Sequence, residues 1–326
     1  MLGVAGKIPG SPWATLGLGP YLGFDSFWKY REGIQAEDEA DFQADCRRMK
    51  RDALKTAHIV IGTPAGITDP SILTCLHPSF VAVDEASMIQ CMSTAGFMAT
   101  FFTHQRRMTG DIHSLSSDLF YGDKEMKSDA PDPDNKARSL ALWNQEQHSV
   151  HSNALMLDIP WTSESCIGTS FENPGNREVV LGLVRKIVGD GLFEAKDIVV
   201  LVGYEAQWRQ YVKDLRALAE TDPSVPWGNV RATKIDAMQG NEANIIIFDY
   251  VRTAKQHEFM KSFRRLNVAC SRGRFGFYLV ASAASLNGRG RDGLKAPGKL
   301  YKWFETRKAI VTVNTPAHVT AIDDDN

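Results

Sequence analysis

Two apolar runs, residues 244–250 (NIIIFDY) and 275–281 (FGFYLVA), limit what this chain can fold into more than any other stretch. They are short, rich in β-branched and aromatic residues, and almost uninterrupted, which is the pattern of buried strands. Each follows a polar cluster: Asp236, Gln239, Gly240 and Glu242 before the first, and Arg264, Arg265, Asn267, Ser271, Arg272 and Arg274 before the second. In a parallel α/β sheet the loops at strand ends carry the ligand groups. Four arginines within eleven residues point to a polyanion, because a guanidinium pairs bidentately with phosphate and stays charged when partly buried. A solvated basic helix before an ordinary strand gives the same cluster. The arginines alone do not decide between the two.

The 326 residues leave room for two domains, or for one and a large part of another. Hydrophobic content of 43% and charged content of 23% are ordinary for a globular protein. The formal net charge of −2 gives no overall basic field, so nucleic acid would have to bind in a local groove. Cys46, Cys75, Cys91, Cys166 and Cys270 are scattered without a metal-binding spacing, so they read as reduced thiols of an intracellular protein, in nucleus or cytoplasm. No apolar stretch is long enough to span a membrane, and no secretion signal opens the sequence; no membrane partner is expected.

Residues 1–35 form an irregular segment rich in Gly, Pro and aromatics. Gly6-Lys7 does not make a phosphate loop: Gly3 is at the wrong spacing, Ile8 replaces the magnesium-binding hydroxyl, and no strand precedes it. A helix is expected over residues 37–57, then a buried strand over 58–63 capped by Thr63, then a strand over 80–83 delivering the adjacent carboxylates of Asp84 and Glu85. Residues 124–147, with DAPDPD at 129–134, read as a surface loop. Strands over 154–158 and 197–203 and an amphipathic helix over 170–188, with Val180, Leu183, Val184 and Ile187 on one face, complete an alternation that implies a parallel sheet with helices on both faces.

QG-x-E with a strand ending in VRT, followed by RRLNVA-x-SR-x-R and a second strand, resembles motifs V and VI of superfamily 1 helicases, most closely the branch with the nonsense-mediated-decay and DNA-replication helicases. The Asp84-Glu85-Ala86-Ser87 strand end resembles motif II of the same family, and Gln105-Arg106-Arg107-Met108 resembles the element opening its second motor domain. The resemblance covers roughly residues 50–285. It implies an α/β, RecA-like P-loop NTPase fold, with a truncated first domain over 36–100, a near-complete second domain over 101–310 and an acidic, disordered tail over 311–326.

The resemblance also implies ATP and Mg²⁺ as cofactors and single-stranded RNA or DNA as partner. Asp84 would hold magnesium and Glu85 would act as base; Arg272 and Arg107 would be arginine fingers; Gln105, Arg106, Gly240 and Glu242 would face the nucleotide, Arg106 stacking its guanidinium plane on the base. Thr63, Gln239 and Tyr204 would border the nucleic-acid track, although Thr63 taken alone is a strand cap and Tyr204 equally fits a packing role. The family's phosphate loop and its Gly-Asp-x-x-Gln segment have no counterpart in the sequence, and the abrupt step from motif II to residue 101 suggests an omitted internal segment. The chain is therefore expected to be a weak or inactive ATPase alone. The rival expectation is a non-catalytic module that binds nucleic acid or protein.

Overall fold

A computed structural model describes residues 39–60, 74–77, 103–122, 126–253, 262–287 and 296–315. The chain divides into two compact units, Met1–Asp84 and Glu85–Asn326. In the first unit, helix α1 (Glu39–Thr56) forms close to its expected limits. The strand expected next is not borne out in its described part: residues 58–60 are a bend and coil, and Ile59 is 80% exposed. Its remainder, with Thr63, lies outside the described residues.

The second unit begins with β1 (His104–Gln105), α2 (Gly110–Phe120), β2 (Lys127–Ser128), α3 (Lys136–His148) and β3 (Ala154–Asp158). There follow a hairpin of β4 (Ser165–Ile167) and β5 (Ser170–Glu172), then α4 (Pro174–Gly189), β6 (Ile198–Val202), α5 (Glu205–Thr221), β7 (Arg231–Lys234) and β8 (Ala243–Asp249). The chain continues through α6 (Phe263–Cys270), β9 (Gly273–Ala281), the single turn α7 (Ala283–Leu286), α8 (Ala296–Thr306) and β10 (Ile310–Thr312). Six strands make one parallel sheet in the order β10-β3-β9-β8-β6-β7, flanked by helices. This is the α/β RecA-like arrangement.

The two organising runs become the central neighbours β8 and β9, paired from Ala243↔Gly273 to Asp249↔Val280. Ile245–Phe248 and Phe277–Ala281 are fully buried, as unalternating apolar strands require when both faces are covered. Asn173 caps α4, its side chain accepting the Asn176 amide at 3.1 Å. The apolar face formed by Val180, Leu183, Val184 and Ile187 is completely buried, as the periodicity predicts.

Two expectations are corrected. The surface loop over 124–147 holds helix α3, whose first amides, of Lys136 and Ala137, donate to the Asp132 carboxylate at 2.7 and 3.1 Å. Leu140 and Trp143 then pack into the core. The tail drawn from residue 311 starts as strand instead: β10 pairs with β3 in the register Ile310↔Met156, and Val313 is buried.

Candidate functional site

Gln105 builds the loop that carries the first arginines. Its side-chain oxygen accepts the amides of Arg107 and Met108, each at 2.8 Å, and its nitrogen donates to the Met108 carbonyl at 2.7 Å. The Thr109 amide and hydroxyl both donate to the Arg274 carbonyl, at 3.0 and 2.6 Å, which ties the loop to the start of β9. So held, Arg107 donates from Nε to Glu242 Oε2 at 2.9 Å and from Nη1 to the Ser271 carbonyl at 3.2 Å. The other Glu242 oxygen lies 4.0 Å from Arg274 Nε. Arg272 is 3% exposed, and its carbonyl accepts the Ala243 amide at 3.1 Å, joining the starts of β8 and β9.

Gly240 makes the turn before β8 with φ +76°, a conformation that costs glycine little. Two guanidinium groups, of Arg107 and Arg274, thus flank a single carboxylate on a partly open surface. Such a surplus of rigid N–H forks suits an anion with several oxygens, and phosphate above all. Among the described residues no group of three or more His, Cys, Asp or Glu side chains is placed to hold a metal ion.

The structure brings together Arg107, Glu242 and the Ser271–Arg274 segment from stretches more than a hundred residues apart. They gather at the amino ends of β8 and β9, whereas the general expectation for parallel sheets favours the carboxyl ends. Arg106 and Gln239 are exposed at this edge, while the Gln105 amide is engaged inside its own loop. Tyr204 takes the packing alternative: it is 6% exposed, its ring lies edge-on to Phe171 at 5.5 Å, and burial pushes its hydroxyl pKa up to about 12. Thr63, Asp84 and Glu85 lie outside the described residues.

A second polar cluster, at the carboxyl end of β8, was not apparent from the sequence. Asp249 is fully buried, with Oδ1 accepting from Asn176 Nδ2 at 2.8 Å and the Val251 amide at 2.9 Å, and Oδ2 from Gln207 Nε2 at 2.5 Å and the Tyr211 hydroxyl at 2.9 Å. Burial raises its carboxyl above the ordinary range, against the pull of these four donors. Val251 then turns with φ +68°, and the Arg252 amide donates to the Tyr250 carbonyl at 2.8 Å. Arg252 lies 3.7 Å over the Phe171 ring and 2.9 Å from Glu164 Oε1, and Glu164 also accepts the Thr253 hydroxyl at 2.7 Å. The signal in the sequence was the Asp-Tyr-Val-Arg-Thr run at the end of β8, with Asn176 and Gln207 both at the third position of a helix.

The profile of a family described as "AAA domain" matches residues 85–284, more than half of the chain. Similar curated proteins include Regulator of nonsense transcripts 1 of Caenorhabditis elegans, 35% identical over 37% of this chain and 11% of that protein. The human DNA replication ATP-dependent helicase/nuclease DNA2 is 28% identical over 57% of this chain and 19% of its own length. The ATP-dependent helicase NAM7 of Saccharomyces cerevisiae is 29% identical over 37% of the chain and 13% of its own. The chain belongs to this AAA-domain family of superfamily 1 helicases.

Its branch is the one that holds the nonsense-decay and DNA-replication helicases. The chain spans no more than about a fifth of these three relatives. Within this helicase family member the match covers the six-stranded unit up to β9 and α7, and so includes every described residue of the arginine cluster.

Proposed function

We propose that the second unit acts as the second motor domain of an ATP-dependent helicase or translocase and turns its amino-edge arginines toward the phosphates of ATP. The observation that carries this is the convergence of Arg107, Glu242 and the Ser271–Arg274 backbone at the starts of β8 and β9. Arg107, with its fork partly exposed, and Arg272, buried beside it, take the roles of charge-stabilising fingers. ATP with Mg²⁺ supplies the hydrolysable phosphoanhydride. Asp84 is assigned to hold the magnesium and Glu85 to take the proton of the attacking water. Gly240 and Glu242 link this edge to the exposed Gln239, which we assign to the nucleic-acid side together with Thr63. The strand bound is single-stranded RNA or DNA, and the setting is intracellular, nucleus or cytoplasm.

An arginine finger is worth about 10³–10⁵ in rate, but only on a nucleotide already held. The holding is done by a loop of backbone amides and a lysine that this sequence does not contain. The chain alone is accordingly a weak ATPase. Two measurements test this. Turnover by the purified chain should stay far below about 10 s⁻¹; an ordinary rate that Arg272→Ala abolishes would overturn the weak-motor assignment while keeping the site. Affinity for a single-stranded oligonucleotide should shift when a non-hydrolysable triphosphate is added. Binding that depends steeply on salt and ignores nucleotide favours the rival, a non-catalytic nucleic-acid module.

A further inference from the structure

We infer that helix α1 carries a further nucleic-acid contact, a row of cations that holds the phosphate backbone of the strand, an inference that rests on the nucleic-acid partner proposed above. The row is Arg47, Arg51 and Lys55, at positions i, i+4 and i+8 of the 18-residue helix, with Arg48 exposed beside it. Four residues of helix advance about 6 Å, so the three cations stand on successive turns of one face, about 12 Å from end to end. All three side chains are exposed, and among the described residues none of them is paired with a carboxylate. Nothing in the helix itself calls for this row. Like charges at i, i+4 repel and weaken a helix, so alternation with glutamate would serve it better. The helix dipole favours cations in the last turn, where Lys55 sits, but Arg47 lies at the middle of the helix, beyond the reach of that effect.

A row kept despite its own repulsion suits a partner that supplies negative charge at repeated intervals. A nucleic-acid strand does so along its backbone, and a guanidinium pairs bidentately with each phosphate it meets. With a formal net charge of −2, the chain has no overall field to hold a polyanion, so a local row must do it. Acidic lipid would satisfy the same charges, but a helix that lies on a membrane needs large apolar side chains beside its cations. Among the described residues of α1 the exposed ones are Ala44, Arg47, Arg48, Arg51, Lys55 and Thr56, none of them large and apolar. The row therefore fits a strand better than a bilayer.

Fluorescence anisotropy of the full chain with a labelled single-stranded oligonucleotide, repeated from about 50 to 200 mM salt, tests this. The unaltered protein is compared with a triple variant, Arg47→Gln, Arg51→Gln and Lys55→Gln, and with a charge-keeping variant, Arg47→Lys and Arg51→Lys. Losing three phosphate contacts on a single strand should flatten the plot of log affinity against log salt by about 2 units. Affinity at the lowest salt should fall about tenfold or more. The lysine variant should keep the slope. Glutamine forms helix well, so far-UV circular dichroism should show the same helix content in all three. Equal slope and affinity in the triple variant would make the row a solvated face and overturn the inference. Weaker binding with an unchanged slope would overturn it too, because the effect then comes from the fold and not from phosphates. So would vesicles containing phosphatidylserine that bind more tightly than the oligonucleotide and are lost in the triple variant. The motor assignment fails separately: an unaltered chain whose affinity ignores a non-hydrolysable triphosphate sinks it, while a flattened slope in the triple variant still keeps the row. An unaltered chain that binds no oligonucleotide removes both.

Discussion

The two ends of the central strand β8 carry polar clusters built on opposite plans. At its amino end Arg107, Glu242 and Arg274 are all at least a third exposed or close to it, their hydrogen bonds are few, and each group keeps a side toward solvent. At its carboxyl end Asp249, Asn173, Asn176 and Gln207 are almost entirely buried, and every oxygen of the Asp249 carboxylate is engaged. A buried polar network with its partners satisfied is rigid and costly to break, whereas an exposed ion pair contributes little to stability and exchanges partners easily. On the proposed reading the carboxyl end is a frame, and the amino end is where a ligand displaces existing contacts. Substitutions at the two ends should therefore differ in kind: loss of stability at one, loss of binding at the other.

The largest effect is expected for Glu164→Ala. It leaves the buried Arg252 guanidinium, stacked on the Phe171 ring, without its counter-charge. Removing one partner of a buried pair typically costs about 3–5 kcal/mol, and urea unfolding should show a loss of that order. Asp249→Ala comes next, at about 3 kcal/mol, because it leaves the donors of Asn176, Gln207 and Tyr211 unsatisfied in the core. A loss below about 1 kcal/mol in either variant would erase the contrast between the two ends.

A gentler perturbation is pH. Burial holds Tyr204 at about 12 against an ordinary 10.0, and raises Tyr211, Tyr250 and Tyr278 as well. The folded state thus keeps these protons more tightly than the unfolded chain. The stability they contribute is whole below pH 10 and is lost as pH rises through about 12. Phenolate absorbance should accordingly report these tyrosines late, in one step with unfolding. Independent early titration would show that the carboxyl end is open to solvent.

How much of this was legible in the sequence follows the same division. β8 and β9 announce themselves because a strand covered on both faces has no choice but to be apolar, and the helix face from Val180 to Ile187 does so by its period. Glu242, Arg272 and Arg274 were legible because they sit in short runs ahead of those strands, whereas Arg107 stood out only through the family resemblance of its Gln105–Met108 element. Helix α3 was hidden: its start is an acidic, proline-rich string in which Asp132 becomes a cap only once the chain turns back on it. β10 is three residues long and means nothing until it lies beside β3. The Asp249 network was illegible for a deeper reason. Asn173, Gln207 and Asp249 come from three separate elements, and only the strand order β8-β6 with α4 and α5 packed nearby makes them neighbours.

The smallest stability effect, and the most diagnostic one, belongs to Arg107→Ala. The substitution removes one ion pair with a half-exposed carboxylate and one bond to the Ser271 carbonyl. Exposed pairs of this kind contribute about 0–1 kcal/mol, so the unfolding midpoint in urea should hardly move. The loop itself is held by Gln105 and Thr109, whose bonds use backbone and side chains other than the Arg107 guanidinium, and should keep its shape. Triphosphate binding should nevertheless fall by roughly tenfold or more, since a charge-assisted contact to phosphate is lost. A variant that stayed folded and bound triphosphate normally would place the anion elsewhere. One that lost several kcal/mol of stability would show that the amino end, too, is frame, and the functional asymmetry of the sheet would have no basis.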